Sequence, residues 1–160
     1  MKKRSDIVLA LIAASLFLAC DAPVWIIADV PPKTSSEMPP FVITRPVMEI
    51  SERPSYFKYA GLVFNFLNHA EKAVDNITVS FMLFDSKTLE NPFISSNKFN
   101  ITKWDLVFPD ENMEIILSLD RFVIIAPREP YLIDYFYIYE IHYVDDSVWR
   151  DEYGKYRVRD

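Results

Sequence analysis

The sequence predicts an all-β protein, an antiparallel β-sandwich of about seven strands that follows an export signal and a proline-rich tether. Three observations predict it. From Phe41 onward, apolar and polar residues alternate with a period of two. Clusters of Asn, Asp, Ser and Pro separate the alternating runs. No stretch of helix length carries a 3.6-residue period. The chain has 160 residues, of which 51% are hydrophobic and 15% aromatic, so it can build a core and is not a disordered polymer.

The elements follow in order. Phe41 to Ile50 is the first predicted strand. Tyr56 to Asn68 is the second, with Leu62, Phe64 and Phe66 on one face. Asn76 to Asp85 is the clearest: Ile77, Val79, Phe81 and Leu83 share one face, and Thr78, Ser80 and Met82 the other. Ile94 to Thr102 is a weaker fourth strand. Glu114 to Asp120 turns Ile115, Leu117 and Leu119 inward. Tyr131 to Val144, long and rich in Tyr and Ile, suits a position near the centre of a sheet. Asp145-Asp146-Ser147 reads as a hairpin turn into Val148-Trp149-Arg150. Only two glycines occur, Gly61 and Gly154, so tight turns must lean on Asn and Asp. Seven short strands over roughly 115 residues point to a sandwich of immunoglobulin-like type. A domain of that size buries roughly two thirds of its unfolded surface.

The N-terminus has the layout of a secretory signal peptide over residues 1–19. Lys2, Lys3 and Arg4 precede an apolar run from Ile7 to Leu18, and polarity returns at Asp21. That run of twelve residues falls short of the roughly 20 that span a bilayer. Phe17-Leu18-Ala19-Cys20 resembles the bacterial lipobox, with Phe17 where Leu is usual. The resemblance implies that Cys20, the only cysteine, is diacylated and becomes the mature N-terminus. Two acyl chains give a stable anchor, because each buried CH₂ contributes about 0.8 kcal/mol. From Cys20 to Pro40, five prolines after the cysteine predict an extended tether. Within it, Trp25-Ile26-Ile27 can lie in the lipid interface or pack on the domain. The folded domain is expected over residues 41–160.

The third strand reads Phe81-Met82-Leu83-Phe84-Asp85, and the segment before it reads Gly61-Leu62-Val63-Phe64-Asn65-Phe66-Leu67-Asn68. Together they resemble the FxLYD domain, an immunoglobulin-like module of bacterial cell-envelope proteins, over about Tyr59 to Asp85. Phe84 replaces the family's Tyr, and Ser86 stands where a glycine commonly follows. The resemblance implies a fold and an envelope location. It implies no catalytic residue.

Composition and motifs narrow the chemistry. Cleavage before Cys20 leaves 14 Lys and Arg against 22 Asp and Glu, a mature charge of −8, which argues against nucleic acid as a partner. There are two histidines, His69 and His142, and no phosphate-binding or zinc-protease motif. His69 falls in a probable hairpin loop, which suits a solvated side chain better than a catalytic one. Glu140 and His142 are two apart and share a strand face beside the turn acids Asp145 and Asp146. These four are weak candidates for a divalent metal, and a solvated face with an acidic turn explains them as well. Tyr135, Tyr137 and Tyr139 are candidate binding residues: on an exposed face they would form an aromatic patch for a protein or glycan. Ile133 and Ile141 lie on the same odd-numbered positions, which favours core for that face.

These features lead to one expectation. The protein is a non-enzymatic cell-envelope lipoprotein, held to a membrane through palmitate-type acylation at Cys20 and facing the periplasm or the cell surface. It needs no cofactor, and its sandwich binds an envelope protein or glycan. A structural accessory subunit of an envelope complex is the alternative, and a hydrolase is the least favoured class because no nucleophile–base pair is visible.

Overall fold

The alternating runs fold as the pattern requires, into two sheets that bury their apolar faces against each other. The computed structural model describes residues 38–51 and 53–159. The expected signal peptide, Cys20 and nearly all of the tether, with Trp25-Ile26-Ile27, lie outside the described residues. The strands are β1 (Phe41–Ile43), β2 (Val47–Ile50), β3 (Ala60–Asn68), β4 (Val74–Phe84), β5 (Lys98–Val107), β6 (Asn112–Ser118), β7 (Leu132–Tyr143) and β8 (Val148–Arg150). Among the described residues there is no helix.

In the first sheet, β3 pairs with β1 and β2 on one side and with β6 on the other. The second sheet runs β5-β4-β7-β8, and every pairing in both sheets is antiparallel. The chain crosses between the sheets after β3, β5 and β6, as in immunoglobulin-like sandwiches. Leu62, Phe64 and Phe66 of β3 and Ile77, Val79, Phe81 and Leu83 of β4 are all buried in the resulting core. The aromatic rings form a continuous chain through it: Phe64 lies 5.0 Å from Phe136, Phe136 6.3 Å from Phe81, and Phe81 5.5 Å from Phe99.

Several boundaries differ from the sequence prediction. The expected first strand is two, because the pairing with β3 is interrupted after Thr44, at Arg45 and Pro46, where proline has no N–H for the ladder. The second strand starts at Ala60 and not at Tyr56. The chain before it loops back, and the Asp120 carboxylate accepts the N–H groups of Lys58 (2.7 Å) and Tyr59 (2.8 Å). The fourth strand starts at Lys98 and continues to Val107, beyond the expected end at Thr102. Residues 91–96 turn instead, with Asn91 accepting from Phe93 N–H and donating to the Ser95 carbonyl.

The turns do lean on aspartate. Asp110, between β5 and β6, and Asp146, between β7 and β8, have left-handed φ of 59° and 64°. Asp85 closes β4 by accepting the N–H groups of Lys87 and Thr88, both at 2.9 Å. Asn68, fully buried at the end of β3, donates to the carbonyls of Lys72 (2.9 Å) and Val107 (3.0 Å) and accepts from Ala70 N–H (3.0 Å). Its amide ties the β3–β4 turn to the end of β5.

Strand β7 departs most from simple alternation. Ser80 of β4 faces Tyr137 and Met82 faces Asp134, so β7 carries one extra residue there. Thr78 faces Glu140 and Val79 faces Ile138, so Tyr139 is a second extra residue. Core-facing residues are therefore odd at Ile133, even at Phe136 and Ile138, and odd again at Ile141 and Tyr143. The expectation that Tyr135, Tyr137 and Tyr139 share the face of Ile133 and Ile141 is corrected by these two bulges.

Candidate functional site

The outer face of the second sheet collects most of the predicted site residues. Cross-strand rows build it. Trp104, Asn76, His142 and Val148 form one row, and Thr102, Thr78, Glu140 and Arg150 the next. Asn100, Ser80 and Tyr137 form a third. Thr78 and Thr102 share a hydroxyl hydrogen bond of 2.9 Å.

Glu140 and His142 do share a face, and they are hydrogen-bonded. The other oxygen of Glu140 accepts from Arg150 Nε at 2.6 Å. Burial raises the Glu140 pKa, but the bonds from His142 and Arg150 outweigh it and hold the carboxyl below its ordinary value. Asp145 faces elsewhere, 2.6 Å from Lys72 Nζ, and also accepts from Ser147. Glu140 and His142 are thus grouped with Arg150 and Asp145 with Lys72, while Asp146 occupies the left-handed position of the turn. Among the described residues, no three His, Cys, Asp or Glu side chains converge as a metal cage would require. His69 stands apart, half-exposed, 3.7 Å from Asp110.

The tyrosines separate as well. Tyr137 is only 3% exposed, yet it points away from the core. The C-terminal segment covers it: Gly154 packs against the rings of Tyr137 and Tyr135, where an added Cβ would lie 3.2 Å from each. Asp151 organises that segment by accepting the N–H groups of Lys155 (3.0 Å) and Tyr156 (2.9 Å), and Val158 N–H reaches the Phe136 carbonyl at 2.8 Å. Tyr135 is 37% exposed beneath the Arg157 guanidinium, 4.9 Å from its ring centre. Tyr139 is half-buried. The three rings do not form one open patch.

The open apolar surface lies on β5 instead. Trp104 is 68% exposed, Leu106 48% and Phe108, just past the strand, 56%. Sequence reasoning missed them because it ended this strand at Thr102. The signal was present as alternation with Lys103 and Asp105, although that pattern alone would place the aromatics inward. Phe99 and Val107 take the inward positions, and Trp104 is left in solvent. Lys103 falls on the side of Phe99 and Ile101 and pairs with Asp105 at 3.0 Å. A charge pointing inward from an edge strand opposes its pairing with another edge.

The Lys72–Asp145–Ser147 cluster has a measurable consequence. The Lys72 ammonium, then the Ser147 hydroxyl and N–H, lower the Asp145 carboxyl from 3.8 to about 2. Asp85 and Asp120 are lowered as well, Asp85 by the Thr88 and Lys87 N–H groups. At Asp120, burial acts in the opposite direction and the backbone N–H groups of Lys58, Tyr59 and Ala60 outweigh it. Between the ordinary carboxylate range and about pH 2 the unfolded chain binds more protons, so stability falls as pH falls through that window. Wild type is expected to exceed Asp145→Asn in stability at pH 7, with the gap closing by about pH 2. Urea titrations along the acid limb measure this, and a gap independent of pH would count against the ion pair.

No family model matches the chain, and no curated protein does. A crystal structure of a hypothetical protein from Peptoclostridium difficile 630 is similar in fold, with a TM-score of 0.52 at 11% sequence identity, covering 72% of this chain and 88% of that one. At that identity the likeness concerns the fold alone: an all-β sandwich.

Proposed function

We propose that the protein is a membrane-tethered lipoprotein of the bacterial cell envelope whose sandwich is a non-catalytic binding or assembly module. The exposed Trp104-Leu106-Phe108 series on the edge of the second sheet carries the binding part of this reading. Aromatic side chains that stay in solvent at alternate positions of one strand suit anchoring in a partner protein. The inward charge at Lys103 favours contact through the strand's outer face over strand-to-strand addition. The signal-like start and Cys20 support the tether. The FxLYD-like segment supports an envelope location, and in the fold Phe81, Leu83 and Asp85 have core and turn-closing roles.

The test has two parts. Wild type should pellet with membranes and carry acyl mass at Cys20, and Cys20→Ser should be released. Unchanged retention with no acyl mass on wild type would remove the anchor. A photoreactive residue at position 106 should crosslink to an envelope protein, and Trp104→Ala with Phe108→Ala should reduce the yield about tenfold with little change in melting temperature. A yield indifferent to both changes would remove the β5 surface as the site.

A further inference from the structure

Strand β8 has three residues against twelve in its neighbour β7. It ends at Arg150, so the first half of β7 has no neighbour on that side until Val158 reaches Phe136. On the opposite sheet, β2 is an edge strand in the same region, and Tyr131 N–H meets Met48 Sδ at 3.1 Å between the two sheets. The result is a cleft of about 480 Å³ between β2, the start of β7 and the last residues. Its size falls within the range of small-molecule sites, roughly 300–1,000 Å³.

The lining is unusual for this chain. The whole protein has 23 acidic and 17 basic residues. Yet Arg157 and Arg159 line the cleft, beside Arg45, which has a partner of its own, and Asp134 is the one carboxylate among the described lining residues. The apolar lining includes Met48, Ile133 and Val158. Two arginines elsewhere pair with acids: Arg53 with Glu114, Arg150 with Glu140. Arg157 is placed differently. It stacks over Tyr135 and donates to the Tyr135 hydroxyl at 3.4 Å, so among the described residues no carboxylate neutralises it. Tyr135 is itself the bulged residue of β7, with φ of 53°, a strained backbone for a bulky side chain. Such strain is found where a ligand-facing group must be aimed.

We propose that this cleft binds a small amphiphilic anion, with a carboxylate or phosphate head on Arg157 and Arg159 and an apolar body against Met48, Ile133 and Val158. A planar guanidinium matches either head through two parallel hydrogen bonds. The site is separate from the β5 surface and does not depend on it.

The experiment is calorimetric titration of the full-length protein in a nonionic detergent, with micelles alone as the blank. The probes are 2-naphthoate, 2-naphthyl phosphate and the neutral 2-naphthylmethanol. One saturable site is expected for at least one anion, and the tighter of the two identifies the head group. The neutral probe should bind about tenfold more weakly or worse. Arg159→Gln, a change at an exposed terminal residue, should weaken the anion about tenfold without lowering the melting temperature. Arg159→Lys should recover part of the loss. Absence of saturable binding by both anions, equal binding of the neutral probe, or indifference to Arg159→Gln would each overturn the proposal.

Discussion

Phe81→Ala is expected to cost about 3–5 kcal/mol. Phe81 is fully buried in β4, the strand that joins β5 and β7. Its ring is the middle link between Phe136 at 6.3 Å and Phe99 at 5.5 Å. Truncation removes the transfer energy of the ring, leaves a cavity, and breaks two aromatic contacts worth about 0.5–1.5 kcal/mol each. Neighbours cannot close the gap, because Phe64 and Phe99 are held by their own strands in opposite sheets or at the edge. A domain with about 5–15 kcal/mol of stability would lose a large fraction of it. Equilibrium unfolding in urea measures the loss. A value under about 1 kcal/mol would mean that the site collapses freely and that the aromatic chain is not the core's support.

Tyr137→Ala is expected to cost about 3 kcal/mol, and for a different reason. The ring is buried outside the sandwich core, beneath Gly154 and the segment that Asp151 organises. Its loss should loosen residues 151–159 and leave the two-sheet core in place. Trypsin cleavage after Lys155 and Arg157 should then accelerate about tenfold or more, while protection of β3 and β4 amides persists. The two readouts separate this role from that of an interface residue. Unchanged proteolysis with a loss under about 1 kcal/mol would show that the ring supports nothing, and would return it to consideration as a partner contact.

The sequence was legible where strands keep strict alternation and illegible where they do not. In β4, Ile77, Val79, Phe81 and Leu83 alternate without interruption, and all four are buried as read. In β6, Ile115 and Leu117 behave likewise. The turns at Asp110 and Asp146 were legible because so few glycines are present, whereas the left-handed φ of Ser51, Ser55, Leu89 and Tyr135 carried no such signal. The tyrosine series was not, because each bulge reverses which parity faces inward and nothing in a run of Tyr and Ile marks where the reversal falls. The β5 surface was hidden for the opposite reason. Its pattern is regular, but the amphipathic reading sends Trp104 inward, while Phe99 and Val107 compete for the same core and win it. The arginine cleft could not be read at all, since it joins residue 45 to residues 157 and 159 through tertiary structure.

The two extra residues of β7 also set rules for how this chain can change over generations. Substitutions in β7 alter one side chain at a time, but loss of a residue from a regularly paired stretch, such as Ile141, inverts the facing of every residue on one side of the gap. Losing Tyr139 alone, by contrast, would only close its bulge: Ile138 stays opposite Val79 and Glu140 opposite Thr78, so every facing is kept. Away from the bulges, a second length change nearby restores the original facing, as the existing pair of extra residues does between Ile133 and Ile141. Viable one-residue length variation in this strand is therefore expected at the two bulges, and elsewhere only in compensating pairs.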